Sequence, residues 1–140
     1  MAGCAHQMAV FNPLNMRTNI YFIRTKDNAN LIKIGVAQDV QLRLSTLQTG
    51  NHSTLEIIGS TPIDCHKHAL CMEKKIHDLF RYYRVRGEWF RSAAPLRNFI
   101  ASVTRDNVSI ADAMAIAMID SGKHKAEYYN RASITRRASQ

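Results

Sequence analysis

Two short runs of β-branched and aromatic residues, separated by a handful of polar positions, constrain this chain more than any other feature. Asn19-Ile20-Tyr21-Phe22-Ile23-Arg24 and Leu31-Ile32-Lys33-Ile34-Gly35-Val36 both have strand composition. The intervening Lys26-Asp27-Asn28-Ala29-Asn30 is a polar turn of the kind that closes a hairpin. Side chains alternate along a strand, so Ile32, Ile34 and Val36 share one face and Leu31, Lys33 and Gly35 the other. Tyr21 lies mid-strand in the partner, which puts Tyr21 and Lys33 together on the face that is not the core. A lysine between two isoleucines conflicts with its surroundings, but by itself it identifies no activity.

The pattern continues with a short helix. Asp39 is placed to cap it, and Val40, Leu44 and Leu47 follow at helical spacing to about Gln48, before Thr49-Gly50-Asn51 ends it. Leu55 to Thr61 reads as a third strand, stopped by Pro62. Asp64 then suits the cap of a longer helix over about Cys65 to Tyr82, whose apolar positions Ala69, Met72, Ile76, Leu79 and Phe80 recur every three or four residues. Arg84 to Gly87 reads as a basic turn and Glu88-Trp89-Phe90 as a short extended piece. Ser92 and Pro95 open another helix, to about Val103. Ser109 and Asp112 resemble a capping box before an Ala- and Met-rich run to Ile119, closed by Gly122. The order β-β-α-β-α followed by helices predicts an α+β fold, with a small three-stranded mixed or antiparallel sheet flanked by helices. Residues 1–17 read as a flexible arm, 18–100 as the compact domain, 101–122 as an additional C-terminal helix and 123–140 as a basic tail.

Charge narrows the choice of partner. Lys and Arg number 19 against 11 Asp and Glu, a formal net charge of +8, and the sequence pI is near 9.8. Such a domain suits a polyanion, because cationic side chains that neutralise phosphates release condensed counterions; a merely soluble basic surface has the same composition. Three cysteines, Cys4, Cys65 and Cys71, cannot all pair within one chain, and their spacing is not that of a disulfide framework. With neither a leader-like start nor a membrane-length apolar run, the expectation is an intracellular, cytoplasmic protein that does not enter a membrane. Cys65, His66, His68, Cys71 and His77 invite a zinc reading. However, His66 and His68 diverge on a helix and no Cys-x-x-Cys pair exists, so the spacing disfavours it.

Glu73 is the sharpest anomaly. It lies among Ala69, Ile76 and Phe80 on the stripe that faces the core, and ionised carboxylates are rarely buried unless paired or holding a metal. A carboxylate at the rim of that stripe, salt-bridged to a nearby lysine, is the competing explanation. Arg43 sits at the edge of the apolar face of the first helix, where a surface arginine is the default.

These residues together resemble a known pattern. Asn19-Ile20-Tyr21 followed by Lys33-Ile34-Gly35 is similar to the paired tripeptides of the GIY-YIG endonuclease superfamily. Arg43, eight residues after Gly35, stands where that family has its catalytic arginine. Glu73 and His77 form a Glu-x-x-x-His setting, while Leu47-Gln48-Thr49-Gly50-Asn51 and Arg84-Val85-Arg86-Gly87-Glu88-Trp89-Phe90 resemble a compact phage and bacterial branch. The resemblance spans about residues 18–100. Three positions depart from the pattern: Asn19 for the first glycine, Lys33 for the second tyrosine, and Leu47 where many relatives carry His or Tyr.

The resemblance implies a divalent-metal-dependent endonuclease acting on DNA. Glu73 would hold Mg²⁺ (or Mn²⁺), a hard cation suited to oxygen ligands, and Arg43 would grip the scissile phosphate. Tyr21 would bond the attacking water or take its proton. Lys33 would assist as a base or as an electrostatic clamp; an ordinary lysine is almost wholly protonated at neutral pH, so the base role needs neighbours that favour its neutral form. His77 would orient Glu73, touch the phosphate or relay a proton. Lys74, Lys75, Arg81, Arg84 and Arg86 are natural contacts for the nucleic-acid backbone. Trp89 and Phe90 read as core plugs and Glu88 as the partner of a nearby arginine, with a second metal-ligand role the lesser option. A non-catalytic nucleic-acid-binding module on the same fold, and a nuclease subunit that needs a protein partner or a second copy, are the alternatives.

Overall fold

The structure is a computed structural model, and it describes residues 17–27 and 30–120. Among these the chain forms a five-stranded antiparallel sheet and four α-helices. Strands β1 (Thr18–Thr25) and β2 (Leu31–Ala37) make the hairpin, followed by helix α1 (Val40–Thr49), strand β3 (Leu55–Ile63) and helix α2 (His66–Leu79). A 3₁₀ turn at Arg81–Tyr83 leads into a second, shorter hairpin, β4 (Arg84–Arg86) and β5 (Trp89–Arg91), and helix α3 (Ala94–Thr104) follows. Helix α4 covers 110–120, where the Ser109 hydroxyl accepts from the Asp112 amide at 3.1 Å. Gly122, residues 1–16 and the tail 123–140 lie outside the described residues.

The sheet has five strands rather than three, in the order β3-β1-β2-β5-β4. The expected basic turn at 84–87 is a strand and half a turn, and the extended piece after it is β5, which pairs with β2 through Leu31↔Arg91, Ile32↔Phe90 and Lys33↔Trp89. Gly87, at φ +56°, supplies the left-handed residue that the tight β4–β5 connection requires. Pro62 does not stop β3, which runs to Ile63 with Pro62 opposite Asn19. β3 is the edge strand, so a missing amide is tolerated there. The cap of α2 is Cys65, whose sulfur accepts from the His68 amide at 3.4 Å, and not Asp64; the helix ends at Leu79 rather than Tyr82. Asp39 does cap α1, accepting from Leu42 N at 3.0 Å.

Both faces of the sheet are covered. On one, Ile20, Phe22, Ile32, Ile34 and Phe90 pack against Ile76 of α2 and Phe80 at its C-cap, Leu96, Phe99 and Ile100 of α3, and Ala113 and Ala117 of α4. This is the main core; its aromatic rings meet edge to face, with Phe80 and Phe99 centroids 5.4 Å apart. The other face, expected to be free of core, carries a second, smaller cluster. Tyr21, Ile23 and Leu55 are buried there beneath Val40, Leu44 and Leu47 of α1. The physical reason is α1 itself: its apolar stripe needs a surface, and only this face of the β1–β2 hairpin is open to it.

Candidate active site

Strand pairing sets the geometry of the site. Tyr21 stands opposite Gly35, and Lys33 opposite Ile23, so Tyr21 and Lys33 point to the same side of the hairpin, under α1. Because β5 pairs only with the first half of β2, the edge of β2 opens beyond Lys33. There Glu88, at the turn before β5, supplies the carbonyl that accepts from Ile34 N at 3.1 Å. The Ile34 carbonyl is left to a side chain from α2, His77, whose Nε2 lies 3.0 Å from it. A strand edge that ends early therefore lets residues of α2 reach groups on the α1 side of the sheet.

Tyr21 is only 1% exposed, and its ring lies across Gly35. A Cβ added at Gly35 would sit 2.5 Å from the tyrosine Cζ, well inside contact distance, so the glycine is what lets the phenol lie flat on the strand. We expect Gly35→Ala to displace that ring and to cost about 1–3 kcal/mol; a denaturant midpoint equal to that of the wild type would contradict this packing. The phenol end meets Arg43 of α1. A hydrogen bond with Tyr21 and the nearness of its oxygen hold the exposed guanidinium above its ordinary range, and the Glu88 carboxylate adds to the effect.

Glu73 faces inward from α2, its side chain 12% exposed, one turn from His77, with Oε1 3.8 Å from the imidazole Nε2. Burial, and after it the negative charge of Glu88, push its carboxyl up from the usual 4.5 to about 7 against the downward pull of Lys33. His77 is shifted the other way, lowered mainly by burial against the hydrogen bond to Ile34. A carbonyl can only accept, so the neutral ring carries its proton on Nε2 and donates it to Ile34 O. Its ring packs on Phe90 with centroids 5.1 Å apart. These contacts fix His77 as a brace between α2 and the open edge of β2.

Lys33 is buried to 7% exposure and is paired with Glu88 through Nζ and Oε2. Its ammonium also lies 5.9 Å from the centroid of the Trp89 ring. Glu88 thus has a lysine for its partner and not the arginine expected from sequence. Lys74, Lys75, Arg81, Arg84 and Arg86 are all exposed, with Arg81 set against the Tyr82 ring at 5.2 Å. Arg84 is close enough for its charge to act on His77. The residues of the zinc reading do other work: Cys65 caps α2 and His66 Nδ1 lies 3.1 Å from the Thr18 hydroxyl. Among the described residues, no group of three or more His, Cys, Asp or Glu is placed to hold a metal ion.

The domain family described as T5orf172 matches residues 18–107. The chain belongs to the T5orf172 family. This is a phage-associated domain of the nuclease-related group, which connects the chain with nucleic acid. No curated protein and no solved structure matches the chain.

All the grouped side chains, Tyr21, Lys33, Arg43, Glu73, His77 and Glu88, fall inside the T5orf172 domain, as do α1, α2 and all five strands. Helix α4, at 110–120, lies beyond the matched segment but closes the main core through Ala113 and Ala117. Among the described residues of the T5orf172 domain and α4, no helix is long and apolar enough to cross a membrane. The residue that sequence reasoning undervalued is Glu88. No local signal marks it, because β4 and β5 have three residues each and its partner Lys33 lies 55 positions away.

Proposed function

We propose that this domain is a GIY-YIG-type, divalent-metal-dependent endonuclease that hydrolyses DNA phosphodiester bonds. The observation that carries the reading is the inward-facing Glu73, 12% exposed and with its carboxyl raised to about 7, close enough to Lys33 and Glu88 to feel both charges. The Tyr21–Arg43 pair flanks these groups, since Arg43 also feels the Glu88 charge. A carboxylate costs free energy in such a place unless something neutralises it. Oxygen donors on Glu73 fit a hard cation, Mg²⁺ or Mn²⁺, and the sparse protein ligand set leaves its other positions to water and phosphate. When bound there by Glu73, the cation supplies Lewis-acid polarisation of the phosphate and of a water.

The chain's own groups account for the rest. Arg43, exposed at its tip and anchored on the phenol, is the fork that bonds two oxygens of the scissile phosphate. Tyr21 presents its hydroxyl to the attacking water. Lys33 adds positive charge where negative charge develops in the transition state. His77 stands one turn from Glu73 and keeps its Nε2 proton, which it donates to the Ile34 carbonyl. Lys74, Lys75, Arg81, Arg84 and Arg86 take the flanking phosphates, which fix register without reading sequence. Incubation of supercoiled plasmid with the protein and Mg²⁺ tests the proposal: nicked and linear products are expected, and tight binding without any cutting would favour the non-catalytic module.

The raised Glu73 carboxyl also sets a pH dependence. A proton must leave before a cation can bind, so the apparent Mg²⁺ affinity rises about tenfold per pH unit below 7 and levels off above it. Half-saturating Mg²⁺ for cleavage is therefore expected to be about tenfold higher at pH 6 than at pH 8. A requirement that stays flat across this range would contradict the assignment of Glu73 as ligand.

A further inference from the structure

Glu88 is tied to two consecutive residues of β2. Its backbone carbonyl accepts from Ile34 N at 3.1 Å, while its side chain reaches the Lys33 ammonium. The partners differ in exposure: the lysine side chain is 8% exposed and the glutamate 42%, so the carboxylate comes from the rim to meet a buried cation. On the next residue, Trp89 stands directly across the ladder from Lys33 and sets its ring beside the same ammonium. The β4–β5 hairpin therefore grips one side chain of β2 by charge, by ring and by register.

Stability does not account for this arrangement. A lysine buried to 8% exposure loses most of its hydration, a half-exposed carboxylate returns only part of it, and an apolar residue at position 33 avoids that cost altogether. The location is informative too. The charge of Glu88 acts on Arg43, on Glu73 and on His77, three further ionisable groups of the cluster. A pair placed only to staple two strands has no reason to lie at the centre of these groups.

We infer that Glu88 is a positioning residue of the proposed nuclease site, holding the Lys33 ammonium as a fixed positive charge for the bound phosphate. The inference rests on the nuclease reading given above and assigns Lys33 one of its two possible roles. A lysine committed to a carboxylate and a ring lends charge rather than a lone pair, which leaves Tyr21 to handle the water. Preorganised charge stabilises a transition state without reorganising at the moment of reaction. A mobile lysine in the same place loses that advantage, and small misplacements near reacting groups cost up to about 100-fold.

The test uses the full chain and the isosteric change Glu88→Gln. Single-turnover cleavage is expected to fall about 10- to 100-fold, while DNA affinity stays the same or tightens, because a negative charge has been removed. Glu88→Asp should restore part of the loss. Lys33→Met combined with Glu88→Gln should cut no more slowly than Lys33→Met alone, since the second change then has nothing left to position. Independently of activity, the Lys33 ammonium should give a slowly exchanging nitrogen signal in the wild type, lost in Glu88→Gln with the backbone amide spectrum retained. Wild-type cleavage by Glu88→Gln, additive losses in the double variant, or an unchanged ammonium signal would each overturn the inference. A wild type that cuts no DNA while its ammonium signal behaves as expected would instead overturn the nuclease reading, and the positioning role with it, leaving only the ion pair.

Discussion

Glu73→Gln is expected to lower the single-turnover rate on the order of 10³-fold or more, while the protein remains folded and becomes more stable at alkaline pH. Both halves follow from the same burial. The carboxyl is raised from 4.5 to about 7, so the folded chain holds the proton more tightly than the unfolded chain does. Between those values the folded state carries more protons, and stability falls as pH rises. Above about 7 the full penalty of a buried, unneutralised carboxylate is present; below 4.5 it is absent. Glutamine has nearly the same shape and no charge to desolvate. A thermal melt at pH 8 should therefore shift upward in Glu73→Gln, and the difference should vanish at pH 4. A variant that loses activity because it has lost its fold would instead melt lower at every pH.

Arg43→Ala should lower the cleavage rate about 10²- to 10³-fold, and Arg43→Lys should recover little of it. Arg43 lies exposed on α1, a helix that packs the partly buried Val40, Leu44 and Leu47 on the small core and not the arginine, so its loss leaves that core intact. What is lost is a planar fork already anchored on the Tyr21 oxygen. Lysine retains the charge but offers no bidentate geometry and less orientation per hydrogen bond. The effect should appear in the rate at saturating DNA rather than in affinity alone, since the exposed Lys74, Lys75, Arg84 and Arg86, proposed to take the flanking phosphates, are unchanged. Full rescue by lysine would show that Arg43 acts as a diffuse charge and not as a phosphate clamp.

The sequence was most legible where one local rule decided the outcome. Alternation over Leu31–Ala37 correctly placed Ile32 and Ile34 in the main core and Lys33 beside Tyr21, because a strand's period leaves no freedom once its register is set. Glu73 could be singled out because a charge on an apolar helical stripe is a conflict visible without a partner. The misses arose where the answer lay far away along the chain. Strands β4 and β5 have three residues each, too few to show a period, and β4 is wholly exposed, so its arginines read as a turn. The Lys33–Glu88 pair joins positions 55 residues apart, and nothing local to Glu88 announces it. Pro62 misled because its cost depends on β3 being an edge strand, which only the assembled sheet decides.

On the proposed function, the inward-facing Glu73 carboxylate on α2 binds a divalent cation beside Tyr21 and Arg43. Manganese titration followed by nuclear magnetic resonance tests it directly, because the ion broadens signals within a short radius of wherever it binds. One site per chain is expected, broadening His77, Lys33 and Tyr21 and disappearing in Glu73→Gln. Broadening centred elsewhere on the domain, or a site that survives Glu73→Gln unchanged, would contradict it.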